Sequence, residues 1–133
     1  KPANIMVTPQ GLVKVMDFGI ARQSKLTVSK MTNTAAWGTP HYMAPEQELG
    51  EVSASSDLFS LAALAYEMLN GSPPFPGPAF LDQKRAMAFA PLSAAASLPP
   101  AVDAVMSRAL AADPAMRFAS AGEFVAALER SRT

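Results

Sequence analysis

The sequence predicts a mainly α-helical fold that opens with a short β-hairpin. Two β-prone runs, Ile5-Met6-Val7 and Leu12-Val13-Lys14-Val15, flank Thr8-Pro9-Gln10-Gly11. One later stretch, residues 57–69, is apolar on nearly every helical face. Alanine, the strongest helix former, occurs 26 times and is frequent in the last third of the chain.

Each element has its own local reason. Pro9 followed two residues later by Gly11 is a turn, so residues 5–15 read as a hairpin. Residues 20–36 are rich in Ser, Thr and Lys with no apolar period, which predicts a long exposed loop of the kind that is either functional or disordered. Ser53-Ala54-Ser55-Ser56-Asp57 then supplies N-cap side chains ahead of a helix. Leu58, Leu61, Ala62, Ala65, Met68 and Leu69 share one face, while Phe59, Leu64 and Tyr66 make the others apolar too, so the helix is expected to be central and buried. Asn70-Gly71 ends it with a left-handed cap, and Pro73-Pro74 prevents continuation. Residues 79–89 predict a short helix and residues 91–99 a linker. Pro100 in a first helical turn precedes Val102, Val105, Met106, Ala109 and Leu110, an amphipathic helix that ends before Asp113-Pro114. Ser120-Ala121-Gly122-Glu123 fits a capping box, opening a helix with Phe124, Val125 and Leu128 on one face.

Composition narrows the function classes. The 133 residues carry 11 Lys+Arg and 11 Asp+Glu, for a formal charge of +0. The signs balance within each half, five of each in residues 1–66 and six of each in residues 67–133, which argues against a nucleic-acid footprint. Cysteine is absent, excluding disulfides, Cys-ligated zinc and thiol catalysis. His41 is the single histidine, so no multi-His metal site or Ser/His/Asp constellation exists here; it reads as a loop residue. The most apolar stretch, residues 58–69, is far too short to span a bilayer. The eight methionines read as core fillers. The chain opens on Lys1-Pro2 with no initiator Met or apolar leader, which reads as a cut boundary.

Chemistry concentrates at the hairpin. Asn4 precedes the first strand and Asp17-Phe18-Gly19 follows the second, so the hairpin is expected to bring Asp17 back near Asn4. A carboxylate and an amide oxygen suit Mg²⁺, a hard cation that takes oxygen ligands and shares them with phosphates. Taken alone, Asp-Phe-Gly is a weak signal, since a strand-end Asp-Gly is most often a turn.

Five ordered motifs carry a resemblance. Lys1-Pro2-Ala3-Asn4 is similar to the end of a catalytic loop H-R-D-x-K-x-x-N, and Asp17-Phe18-Gly19 to the metal-binding D-F-G. Gly38-Thr39-Pro40-His41-Tyr42-Met43-Ala44-Pro45-Glu46 resembles G-T-x-x-Y-x-A-P-E. Ser56-Asp57-Leu58-Phe59-Ser60-Leu61 resembles the start of a buried F helix, and Asp113-Pro114-Ala115-Met116-Arg117-Phe118 resembles D-P-x-x-R-[FYP]. The chain therefore resembles the C-terminal lobe of the eukaryotic-type (Hanks-type) serine/threonine protein kinases, the bacterial members in particular. Residues 1–130 would be a partial kinase domain without its N-lobe.

The resemblance implies roles. Asn4 and Asp17 would hold Mg²⁺ against the phosphates of ATP. Lys1 would meet the transferred γ-phosphoryl, with a solvated terminal lysine as its plainer alternative. Lys1 with Thr39 is the serine/threonine pattern, so the catalytic set is Lys1, Asn4, Asp17 and Thr39. Thr32 and Thr34 resemble doubly phosphorylated activation-loop positions. Between Asp17 and Glu46 the only charges are the basic Arg22, Lys25 and Lys30, suited to phosphate. Asp57 would accept hydrogen bonds from catalytic-loop backbone, and Glu46 with Arg117 would form a buried ion pair. Ser55 stands where Arg is common and Ala62 where Gly is usual.

The implied reaction is transfer of the γ-phosphoryl of Mg·ATP to Ser or Thr of protein substrates. No nucleic acid or membrane segment is implied in this chain; the resemblance admits a kinase dimer. It also implies a cytoplasmic location, with any membrane anchor of the parent outside this segment. The H-R-D, the glycine-rich lid and the phosphate-anchoring lysine are not among these residues, so the chain alone is expected to be inactive. The alternative is a non-catalytic helical docking or decoy module. Intact D-F-G and A-P-E weigh against it, because a decoy has no need of metal ligands.

Overall fold

A computed structural model describes residues 5–7, 9–11, 13–15 and 40–132. The chain divides into two units, Lys1–Pro40 and His41–Thr133.

In the first unit, β1 (Ile5–Val7) pairs antiparallel with β2 (Val13–Val15). The register sets Ile5 opposite Val15 and Val7 opposite Val13. Gly11 carries a φ of 82° in the connection, a left-handed conformation that costs a glycine little. The hairpin is the one the sequence predicts.

The second unit is helical among its described residues: α1 (Pro45–Glu48), α2 (Ala54–Asn70), α3 (Phe80–Arg85), α4 (Leu92–Ala95), α5 (Ala101–Ala109), a 3₁₀ turn (Pro114–Met116) and α6 (Ala121–Ser131). α2 begins at Ser53, whose side chain accepts from the Ser56 N–H, and ends at Gly71 with a φ of 85°. A cap of this kind contributes about 1 kcal/mol. At 1.5 Å per residue the 17 residues of α2 make a helix about 25 Å long.

α2 is largely buried, as its all-round apolarity predicts, with Leu58 and Leu64 among the buried residues, but its faces are not equally deep. Phe59, Ala62, Ala63 and Tyr66 lie within the core, whereas Leu61 and Ala65 are half-buried and Met68 is 77% exposed. The reason is side-chain bulk. The Phe59 and Phe75 rings stack at 5.9 Å, Phe75 meets Phe89 edge-on at 5.8 Å, and Tyr66 meets Phe89 at 5.8 Å while its hydroxyl donates to the Ala90 carbonyl. An aromatic cluster of this kind adds about 0.5–1.5 kcal/mol per pair beyond area burial, and it selects the face that carries the rings. α5 and α6 pack on each other and close the core with Val102, Met106, Leu110 and Phe124.

Other expectations are corrected. The helix predicted over residues 79–89 stops at Arg85, because Met87 adopts a φ of 52° and the chain turns away. The stretch read as a linker, residues 91–99, contains α4, seated by the fully buried Leu92 and by the Ser93 N–H donating to Asp103. On α6, Phe124 is buried but Val125 is 43% exposed. Ser120 caps α6 as expected, accepting from the Glu123 N–H, but the return bond of the capping box differs: Glu123 accepts from the Ala119 N–H rather than that of Ser120. The methionines divide, with Met106 buried and Met68 and Met116 exposed.

Candidate functional site

The residues expected to touch nucleotide or metal, Lys1, Asn4 and Asp17, lie outside the described residues, as do Thr39 of the catalytic set and the expected phosphorylation sites Thr32 and Thr34. Of the hairpin between Asn4 and Asp17, the described register places Ile5 opposite Val15. An amide oxygen and a carboxylate are hard donors appropriate to Mg²⁺. Among the described residues no cluster of three His, Asp or Glu suits a metal ion.

The described part of the site is the segment His41–Glu48 and what holds it. Pro45 at the first position of α1 suits a helix start, and the Gln47 side chain accepts from the Ala44 N–H. That turn points Glu46 inward. Its carboxylate takes a two-pronged hydrogen bond from Arg117, Nη1 to Oε2 at 2.7 Å and Nη2 to Oε1 at 2.9 Å. The Ser56 hydroxyl donates to Oε2 at 2.7 Å. Arg117 is 4% exposed and spends its other donors on the carbonyls of Ala111 and Ser55, at 2.9 and 3.0 Å. Its guanidinium carbon lies 4.9 Å from the Phe59 ring centre. Burial by itself pushes the Glu46 carboxyl up; the hydrogen bonds from Arg117 and Ser56 outweigh it and hold the carboxyl below the usual glutamate range. The structure thus brings Glu46 and Arg117, 71 residues apart, into one fully bonded pair.

Tyr42 is fixed twice. Its carbonyl accepts from the Ser60 hydroxyl at 2.8 Å, and its own hydroxyl donates to Glu67. Burial, the hydrogen bond to Glu67 and that residue's negative charge together push the Tyr42 hydroxyl up to about 12. His41 lies edge-on to Phe80 at 4.9 Å. Behind α1, the Glu48 carboxylate receives Lys84 Nζ of α3 at 2.9 Å.

Asp57 occupies the first turn of α2, beside a half-open recess of about 460 Å³ lined by Leu58, Leu61, Phe118 and Ser120. Loss of water around the carboxyl raises its pKa. Ser55, whose consequence the sequence left open, donates to the Pro114 carbonyl at 3.2 Å and offers its own carbonyl to Arg117. Ala62 is fully buried in regular helix. Ser56, Ser60, Glu67, Glu48 and Lys84 were not singled out by sequence. The one available signal was spacing, since Lys84 lies one helical turn after Phe80.

The arrangement carries no proton-transfer pair. It is scaffolding: a buried, bidentate latch, a tie from Tyr42 to α2 and a tie from Glu48 to α3 that together hold the His41–Glu48 segment.

The sequence profile of the protein kinase domain matches residues 1–127, which span the hairpin, the A-P-E segment and the arginine latched to it. The chain belongs to the protein kinase family. It is 44% identical over 140 residues to the serine/threonine-protein kinase PknB of Mycolicibacterium smegmatis, a match covering 98% of this chain and 22% of that protein. It is 42% identical over 136 residues to PknB of Mycobacterium tuberculosis, again covering 98% and 22%. The chain therefore spans about a fifth of the length of these curated relatives. The crystal structure of the Mycobacterium tuberculosis PknI kinase domain superposes with a TM-score of 0.67 at 30% identity, covering 98% of this chain and 44% of that one. Among the described residues no helix is long and apolar enough to cross a membrane.

Proposed function

We propose that this chain is the C-lobe part of a serine/threonine protein kinase that transfers the γ-phosphoryl of Mg·ATP to Ser or Thr of protein substrates. The observation that carries the reading is the order of motifs from Lys1 to Phe118, together with the Glu46–Arg117 latch that ties the A-P-E segment to the D-P-x-x-R stretch. Phosphoryl transfer depends on positioning and charge neutralisation more than on covalent chemistry, which fits a site whose described residues act by holding backbone in place.

Asn4 and Asp17 are assigned to Mg²⁺, Lys1 to the γ-phosphoryl, and Thr39 to the catalytic loop side of the activation segment. Bound Mg²⁺ would neutralise phosphate charge. Thr32 and Thr34 are assigned as activation-loop phosphorylation sites, and Asp57 as an acceptor for catalytic-loop backbone. The location assigned is cytoplasmic, and protein substrates and ATP are the partners.

Residues 1–133 do not include the H-R-D aspartate, so the 133-residue chain by itself is expected to transfer no phosphate. The test is transfer from labelled ATP to a generic basic protein by two preparations, this chain and a complete domain that includes H-R-D and the N-lobe. Activity is expected only in the complete domain, and Asp17→Asn in it should abolish turnover. Retained turnover in that variant refutes the assignment of Asp17 to the metal. An inactive complete domain favours the docking or decoy alternative.

A further inference from the structure

Lys84 has no part in the kinase motifs, yet its side chain is fully buried. Its Nζ donates to Glu48 Oε2 at 2.9 Å and lies 5.4 Å from the Phe80 ring centre. A buried ammonium costs several kcal/mol in lost hydration, and a buried ion pair stabilises no more than a well-packed apolar pair of similar volume. Stability therefore does not account for Lys84. What an ion pair supplies and an apolar contact lacks is a directional tie between two particular atoms.

The tie joins two elements with little order of their own. α3 spans only Phe80–Arg85, and α1 only Pro45–Glu48. Helices this short are not stable alone, so their places are set by their contacts. α3 meets the His41–Glu48 segment at both ends. Phe80, in its first turn, packs edge-on against His41 at 4.9 Å, and Lys84, one turn later, binds Glu48.

We propose that Lys84 and Glu48 are positioning residues of the kinase: their ion pair holds α3 so that Phe80 braces His41, at the start of the segment that runs into A-P-E. This rests on the kinase reading given above. They act through His41 rather than on ATP or the transferred phosphate.

The test separates the tie from stability. In the complete kinase domain, the paired replacement Glu48→Leu with Lys84→Met fills the space without charges, and its Tm is expected to stay near that of the wild type. kcat should nevertheless fall about tenfold or more with KM for ATP unchanged, given how steeply rates depend on ångström-scale placement. Reversing the pair, Glu48→Lys with Lys84→Glu, should recover more activity than either single change. A second readout needs no turnover: the His41 imidazole NMR signals, assigned by their loss in His41→Gln, carry the ring current of Phe80. They should move toward free-histidine positions in the apolar double variant. An active wild type whose double variant keeps both kcat and the His41 signals overturns the positioning role. A wild type that transfers no phosphate removes the kinase reading instead, and the His41 signals alone then decide whether the tie exists.

Discussion

The Glu46–Arg117 latch allows a quantitative test. Arg117→Leu removes two donors from Glu46 and one each from the carbonyls of Ala111 and Ser55, leaving the buried carboxylate with the Ser56 hydroxyl as its remaining side-chain donor. Breaking a buried pair from one side costs about 3–5 kcal/mol, and the two orphaned carbonyls put this case in the upper half of that range. At roughly 2–4 °C per kcal/mol for a domain of this class, about 4 kcal/mol corresponds to a fall in Tm of about 8–16 °C. The assay is thermal and urea unfolding of the complete domain carrying Arg117→Leu, Glu46→Leu or both. The double variant should recover at least ~1 kcal/mol over the worse single, because no charge is left stranded. The pH dependence follows from the Glu46 carboxyl lying below its usual range when folded. Its contribution is complete above the ordinary glutamate pKa of about 4.3 and is lost as pH falls through the lower folded value. Glu46→Gln should erase that acid-side slope. Single changes costing under ~1 kcal/mol, or strictly additive losses in the double, would refute the claim that the pair acts as one buried unit.

The remaining predictions concern other contacts. Gly77→Ala should destabilise by about 1–3 kcal/mol in urea unfolding, since a Cβ there would lie 2.4 Å from the Phe80 ring at a φ of 80°; an unchanged midpoint counts against this packing. Glu67→Gln should bring the ionisation of Tyr42 down from about 12 toward the ordinary tyrosine value, followed by tyrosinate absorbance against a Tyr42→Phe control. An unshifted titration would mean that Glu67 does not set it. In the complete kinase, Thr32 and Thr34 should carry phosphate after incubation with ATP, read by mass spectrometry. Phosphate confined to positions outside residues 24–39 would count against the assignment.

Much of this chain is legible one residue at a time. The hairpin follows from Pro9, Gln10 and Gly11 between β-prone runs, and α2 from Ser53 at one end and Gly71 at the other, because turns and caps are made by atoms a few residues apart. The kinase motifs are legible for a related reason: each is a short run whose order along the chain is itself the signal. The faces of the helices were not legible in this way. Apolarity all round α2 left open which stripe would be deepest, and the stacking of Phe59, Phe75 and Phe89 from separate elements settled it.

Sequence by itself determined the helical class, the hairpin, the caps of α2 and the family, all of them consequences of local chemistry or of ordered short runs. Only the tertiary structure decided that Lys84 would be buried, that α3 would stop at Arg85, and that Glu46 would share Ser56 as well as Arg117. Those outcomes depend on which groups meet across tens of residues, and the energy of a buried charge is fixed by the partner it finds there rather than by its neighbours in the chain.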